Sequence, residues 1–189
     1  MYNIYLLNNV PGEYADMFGS KYDLTDDITQ ANVILTEGEH ISDSMLESKL
    51  VFAAIDLSEN GLDNGSVECC STRGTVVFRC TGESGTEDIE KTIGCAKDYI
   101  ENGNISCSVN FPDVSLGPFG DDVSRISVLM KGIDAPILLG AMMTSEMDLR
   151  AIAGGLKKDL GAALIAGREP VTRIPHVEGV LKVRVLQDI

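Results

Sequence analysis

The chain has 189 residues, 44% of them hydrophobic, and a formal net charge of −14. It is long enough to bury a real core, in one medium domain or two small ones, and its acidity excludes nucleic acid and anionic membrane as partners, because both need a basic footprint. No apolar run reaches the roughly 18 residues of a membrane span and no basic segment precedes the short apolar N-terminus, so the expected location is the cytoplasm.

The charge is divided unevenly. Residues 1–124 hold 6 Lys/Arg against 22 Asp/Glu, a net −16, and residues 125–189 hold 9 against 7, a net +2. That asymmetry predicts two units meeting near residue 120. The five cysteines, Cys69, Cys70, Cys80, Cys95 and Cys107, are odd in number and never spaced as CxxC. Reduced thiols are expected, mostly as small buried groups. Cys69 and Cys70 would diverge by about 100° on a helix, so no metal site is expected of them.

Taken in chain order, residues 2–7 form a first strand and residues 8–12 a turn. Short apolar runs at Val33–Leu35, Leu50–Ile55 and Thr75–Phe78 suit strands buried on both faces of a parallel sheet. Between them lie helical stretches at Glu13–Phe18, Ser42–Leu46 and Asp63–Arg73, the last stopped by Gly74. The alternation predicts an α/β layered domain. Ser84-Gly-Thr-Glu87 fits a capping box, with Thr86 as an alternative cap, opening a helix whose Ile89, Ile93, Ala96 and Ile100 share one stripe. Asn102-Gly103 ends it, and residues 104–124 are rich in breakers.

The remainder reads as a compact β-α-β-β-α-β unit. Ile126, Val128 and Met130 alternate in a first strand, and Pro136 opens a helix running to about Met147, with Asp134 just ahead of it. Leu149–Leu156 and Ala162–Ala166 flank a hairpin at Lys157-Lys158-Asp159. A second, short helix is interrupted by Pro175. In the last strand Leu181, Val183 and Val185 alternate with Lys182, Arg184 and Leu186, a pattern with one face buried.

Four segments, in order, resemble D-3-phosphoglycerate dehydrogenases of the D-2-hydroxy-acid dehydrogenase family. Gly61-Leu-Asp-Asn64 with Thr72-Arg-Gly-Thr-Val-Val-Phe78 is similar to the stretch where that family's first domain approaches its substrate. Glu101–Asn104 and the string Val109–Gly117 resemble the return from its nucleotide domain, and Val177–Val185 resembles the end of its C-terminal ACT domain. The resemblance implies a flavodoxin-like domain over 1–116, a linker at 117–122 and a ferredoxin-like ACT domain over 123–189. The family's entire nucleotide-binding domain would fall at Gly82–Thr86, where it is missing.

The departures bear on function. No G-x-G-x-x-G follows any strand, so no cofactor is expected. The Arg, Glu and His on which the family relies for hydride transfer have no counterpart, and His40 and His176 read as surface histidines. Where the family holds its anionic substrate with arginines, this chain has Glu37 and Leu57. Gly61, Asp63, Asn64 and Arg79 are left as a vestigial substrate loop, with a structural salt bridge as the plain reading of Arg79. Asp56, Glu59 and Asp63 lack EF-hand spacing, and no metal is expected. Ser71, Ser84 and Ser115 have no histidine partner in sequence.

The family's effector loop, Asn/Asp-x-Pro-Gly-x-Leu, corresponds here to Asp134, Ala135, Pro136, Ile137 and Leu138. Ile137 replaces the glycine that lets backbone approach a ligand. Two readings stay open: a site for a small amino acid such as serine, or a plain helix cap in a domain that pairs subunits. The resemblance thus implies a non-catalytic protein that senses an amino acid or pairs with itself or with a full-length dehydrogenase. The alternatives are residual oxidoreductase chemistry with a separately supplied nucleotide domain, and a purely structural dimerisation protein.

Overall fold

A computed structural model describes residues 1–8, 10–81, 85–119, 124–132, 149–167 and 177–187. The chain divides into two compact units, Met1–Lys97 with Cys107–Asn110, and Asp98–Ser106 with Phe111–Ile189. The expected helix over Pro136–Met147, the short helix near Pro175, His176, the effector loop 134–138 and the junction residues 82–84 lie outside the described residues.

The first unit is built on a parallel sheet of β1 (Tyr2–Leu6), β2 (Tyr22–Leu24), β3 (Val33–Thr36), β4 (Ala53–Asp56) and β5 (Val76–Arg79), in the order β2-β1-β3-β4-β5. This is the flavodoxin-like order. β3 and β4 are buried at every residue, as their unbroken apolar runs require of central parallel strands. In register, Ile34, Ala54 and Val77 face one side. They join Leu46, Val51 and Cys70 in a continuous core.

Three α-helices are described: α1 (Glu13–Asp16), α2 (Asn64–Thr72) and α3 (Thr86–Asn102). Short 3-10 turns occupy Ile28–Gln30 and Asp43–Leu46. Asp63 caps α2 by accepting from the Ser66 amide at 3.0 Å, and Gly74, at φ 66°, turns the chain out of it. On α3, Ile93, Ala96 and Ile100 are buried while Ile89 is half-buried, so the apolar stripe faces inward. β2 was not foreseen. It is three residues long and half polar, and joins the sheet edge through Tyr22, which is buried beside Phe18 with ring centroids 5.0 Å apart.

The second unit is an antiparallel sheet of β6 (Ser124–Lys131), β7 (Leu149–Lys157), β8 (Leu160–Gly167) and β9 (Val180–Gln187), ordered β7-β8-β6-β9. This is the strand order of a ferredoxin-like βαββαβ unit. β7 and β8 are joined by a two-residue turn with Lys158 at φ 56°, the positive φ that tight hairpins need.

The central strands β6 and β8 are buried on both faces. On one, Ile126, Val128, Met130, Ala163 and Ile165 form a core. On the other, β9 departs from expectation: Arg184 and Leu186 are buried, whereas Val185 is exposed. The polar-looking side of β9 turns inward because α3's last turn lies against it. Arg184 donates to the carbonyls of Tyr99 at 3.3 Å and Ile100 at 2.6 Å, with its guanidinium 5.0 Å from the Tyr99 ring centroid. Arg125, fully buried on β6, donates to Asn102 O, Gly117 O and Pro118 O and lies over the Phe119 ring. Carbonyls at a helix C-terminus carry partial negative charge, which suits the Arg184 fork on Tyr99 and Ile100 and the Arg125 bond to Asn102 O.

Candidate functional site

Parallel strands end together, so Thr36, Asp56 and Arg79 bring the loops after β3, β4 and β5 to one edge. In open α/β sheets this carboxyl edge is where ligands bind. Sequence alone does not bring these loops together, and the structure shows what each polar group there is doing.

After β3, the loop folds onto Glu39. Its Oε2 accepts from Thr36 Oγ1 at 2.8 Å and from the Glu37 amide at 2.8 Å, and Thr36 Oγ1 accepts from the Glu39 amide. Partial burial pushes this carboxyl up, but the bonds from Thr36 and from the Glu37 and Glu39 amides outweigh it and hold it below its ordinary value. Glu37 stands exposed one residue beyond β3.

After β4, the fully buried Asp56 accepts through Oδ1 from the Ser58 amide at 3.1 Å and the Ser58 hydroxyl at 2.7 Å. Ser58 Oγ in turn accepts from the Gly61 amide at 3.0 Å. Asp56 Oδ2 is buried with no hydrogen-bond partner among the described residues. Leu57 follows directly and is half-buried.

Gly61 and Arg79 do meet. At φ 78° Gly61 lies so close to the guanidinium that a Cβ there would stand 2.2 Å from Arg79 Cζ. Arg79 Nη2 donates to the backbone carbonyl of Glu59 at 3.2 Å, and among the described residues it forms no ion pair. Asp63 and Asn64 start α2, Asp63 as its cap and Asn64 as its first residue.

A contact that sequence reading missed involves His40. Its Nδ1 lies 3.0 Å from Asp63 Oδ2 and 3.1 Å from Ser66 Oγ. Serine, histidine and aspartate invite a nucleophilic reading, but the geometry opposes it. Ser66 donates its proton to Asp63 Oδ2 at 2.6 Å, accepts from the Ile41 amide, and is fully buried. A catalytic relay uses the two ring nitrogens for different partners, whereas here one nitrogen faces both. The cluster is a helix cap that ties the β3 loop to α2. The Ser66 hydroxyl, then the His40 ring, then the Ser66 amide hold the Asp63 carboxyl far below the usual carboxylate range. The signal available in sequence was only Asp63-x-x-Ser66; His40 is 26 residues from Ser66.

Of the serines named from sequence, Ser71 and Ser115 are committed, and Ser84 lies outside the described residues. Ser71 donates to Val67 O at 2.7 Å, and Ser115 accepts from the Gly117 amide at 3.0 Å. Asn110, in the string Val109–Gly117, is a strut on the β5 edge: it accepts from the Val77 amide and donates to Thr75 O, both at 2.9 Å. Among the described residues, no group of three or more His, Cys, Asp or Glu is arranged to hold a metal ion. No described helix is long and apolar enough to cross a membrane.

Among the described residues, the carboxyl edge therefore presents the exposed guanidinium of Arg79, already hydrogen-bonded to the loop after β4, and carboxylates that brace their own loops. Against known protein families and curated proteins, the chain matches no family model and no curated sequence.

Proposed function

We propose that this chain is a non-catalytic regulatory protein on the frame of a D-3-phosphoglycerate dehydrogenase, with an ACT-type unit that binds a small amino acid such as serine and pairs subunits. The observation that carries it is the chemistry just beyond β3 and β4. By the resemblance, Glu37 and Leu57 take the positions of the family's substrate arginines; Glu37 is exposed one residue beyond β3, Leu57 is half-buried just beyond β4, and neither is a cation. A carboxylate facing a phosphate or carboxylate substrate costs affinity. His40, bound by one nitrogen to Asp63 and Ser66, is poorly placed as a general base.

The strand order β7-β8-β6-β9 supports the ACT reading at the level of fold, which by itself does not give function. Pairing of subunits draws support from β7, which ends the sheet and exposes Ile152 and Leu156. Calorimetric titration with NAD and with 3-phosphoglycerate tests the non-catalytic part. The expected result is no saturable heat with either; saturable binding of NAD would establish the dehydrogenase alternative instead.

A further inference from the structure

The five cysteines divide sharply by environment. Cys70 and Cys80 are buried, and burial pushes the Cys80 thiol above its ordinary value, which makes it a poor nucleophile. Cys69 is half-buried on α2. Cys107 is exposed and Cys95 half-buried, and these two line one cavity of about 50 Å³ in the first unit.

Cys95 comes from α3 and Cys107 from the segment leading to Ser108, which bridges Phe78 of β5. Lys91 and Thr92, one turn before Cys95, share the wall with Asp88 and Thr81. Asp88 is occupied there, accepting from the Thr81 amide. Cys107 also has φ 57°, a left-handed conformation that costs a side-chain-bearing residue roughly 1–2 kcal/mol. Glycine would adopt it without strain, yet a thiol stands there, and strain of this kind concentrates at functional positions.

We propose that Cys107 and Cys95 form a peroxide-responsive thiol pair. An exposed thiol and a lysine line this cavity of about 50 Å³, and since on the same measure roughly 10–15 Å³ already holds one water, a small hydroperoxide has room in it. The Cys107 thiolate attacks the peroxide O–O bond and gains one oxygen as sulfenic acid; the other oxygen takes a proton and leaves as water or an alcohol. The Cys95 thiolate then attacks the Cys107 sulfur, the S–S bond forms, and hydroxide leaves and is protonated to water. Two thiols lose two electrons and the peroxide gains them. The site is independent of the proposed amino-acid binding and stands or falls separately.

Trypsin cleavage after Arg79, Lys91 and Lys97 puts Cys80, Cys95 and Cys107 on three different peptides. The reduced full chain is treated with hydrogen peroxide, its remaining thiols are alkylated, and the unreduced digest is mapped by mass spectrometry. The expected product is a peptide pair linking Cys95 to Cys107, reversed by dithiothreitol. In Cys95→Ser the Cys107 sulfenic acid persists and is trapped by dimedone, and in Cys107→Ser oxidation of Cys95 falls at least tenfold. Absence of the 95–107 linkage in the folded wild-type chain would overturn the proposal, as would undiminished oxidation of Cys95 in Cys107→Ser. The wild-type map decides the matter even if a variant does not fold.

Discussion

Arg184 on β9 donates to the carbonyl of Ile100 at 2.6 Å and to that of Tyr99 at 3.3 Å, so a buried cation closes the last turn of α3. The pairing lies within the second unit, where it ties Tyr99 and Ile100 to the antiparallel sheet. Replacing Arg184 by Ala removes the fork and leaves buried carbonyls without these donors, at an expected cost of about 2–4 kcal/mol. Lys in its place recovers little, because a point charge cannot serve two carbonyls as a planar fork does. Urea unfolding checks this, and equal stability of wild type and Arg184→Ala would refute it.

Gly103 ends α3 at φ 79°, and a Cβ there would stand 2.7 Å from both Leu164 Cδ1 and Leu186 Cδ1. Gly103→Ala therefore combines left-handed strain with overpacking, together about 2–4 kcal/mol. The thermal midpoint should fall by many degrees, while Gly12→Ala, where nothing lies within 4 Å of the new Cβ, serves as a neutral control.

At the carboxyl edge, Gly61→Ala should cost about 1–3 kcal/mol, from backbone strain plus displacement of Arg79. Removing the guanidinium with Arg79→Ala relieves the steric part and leaves the strain. A double-mutant cycle should show a coupling of roughly 0.5–2 kcal/mol. Strictly additive costs would mean that the two residues do not touch in solution.

Asp63 gives an acid signature. Its folded-state carboxyl is held below the ordinary value by Ser66 first and His40 second. A depressed carboxyl stabilises the fold above its unfolded pKa, and that contribution drains away as pH falls from about 4 downward. Asp63→Asn keeps a capping oxygen but loses the charge, so its stability should vary less with pH between about 5 and 2 than that of wild type. Matching acid-unfolding curves for the two proteins would contradict this.

Where a local rule acts alone, the elements were legible in sequence. Asp63 and Gly74 bracket α2, Lys158 and Asp159 turn the hairpin, and the buried runs of β3 and β4 are central strands. Elements decided by distant partners were not. β2 is too short and polar to stand out, and depends on Tyr22 finding Phe18. On β9 the alternation is real, but its inward face carries Arg184, because carbonyls of α3 compensate a charge that pattern reading places outside. The His40–Asp63–Ser66 cluster and the Arg79–Gly61 contact each join loops from different strands, and no spacing in the chain announces them.

The central claim, a regulatory protein without dehydrogenase chemistry, is tested most directly by the thermal midpoint of the full chain with and without saturating ligands. A ligand that binds the native state raises the midpoint, by about 2.7 kcal/mol of stabilisation at a hundredfold excess over its Kd. The account predicts a rise with serine or another small amino acid, lost in Asp134→Ala, and none with NAD or 3-phosphoglycerate. A rise with NAD or 3-phosphoglycerate, with no response to any amino acid, would contradict it.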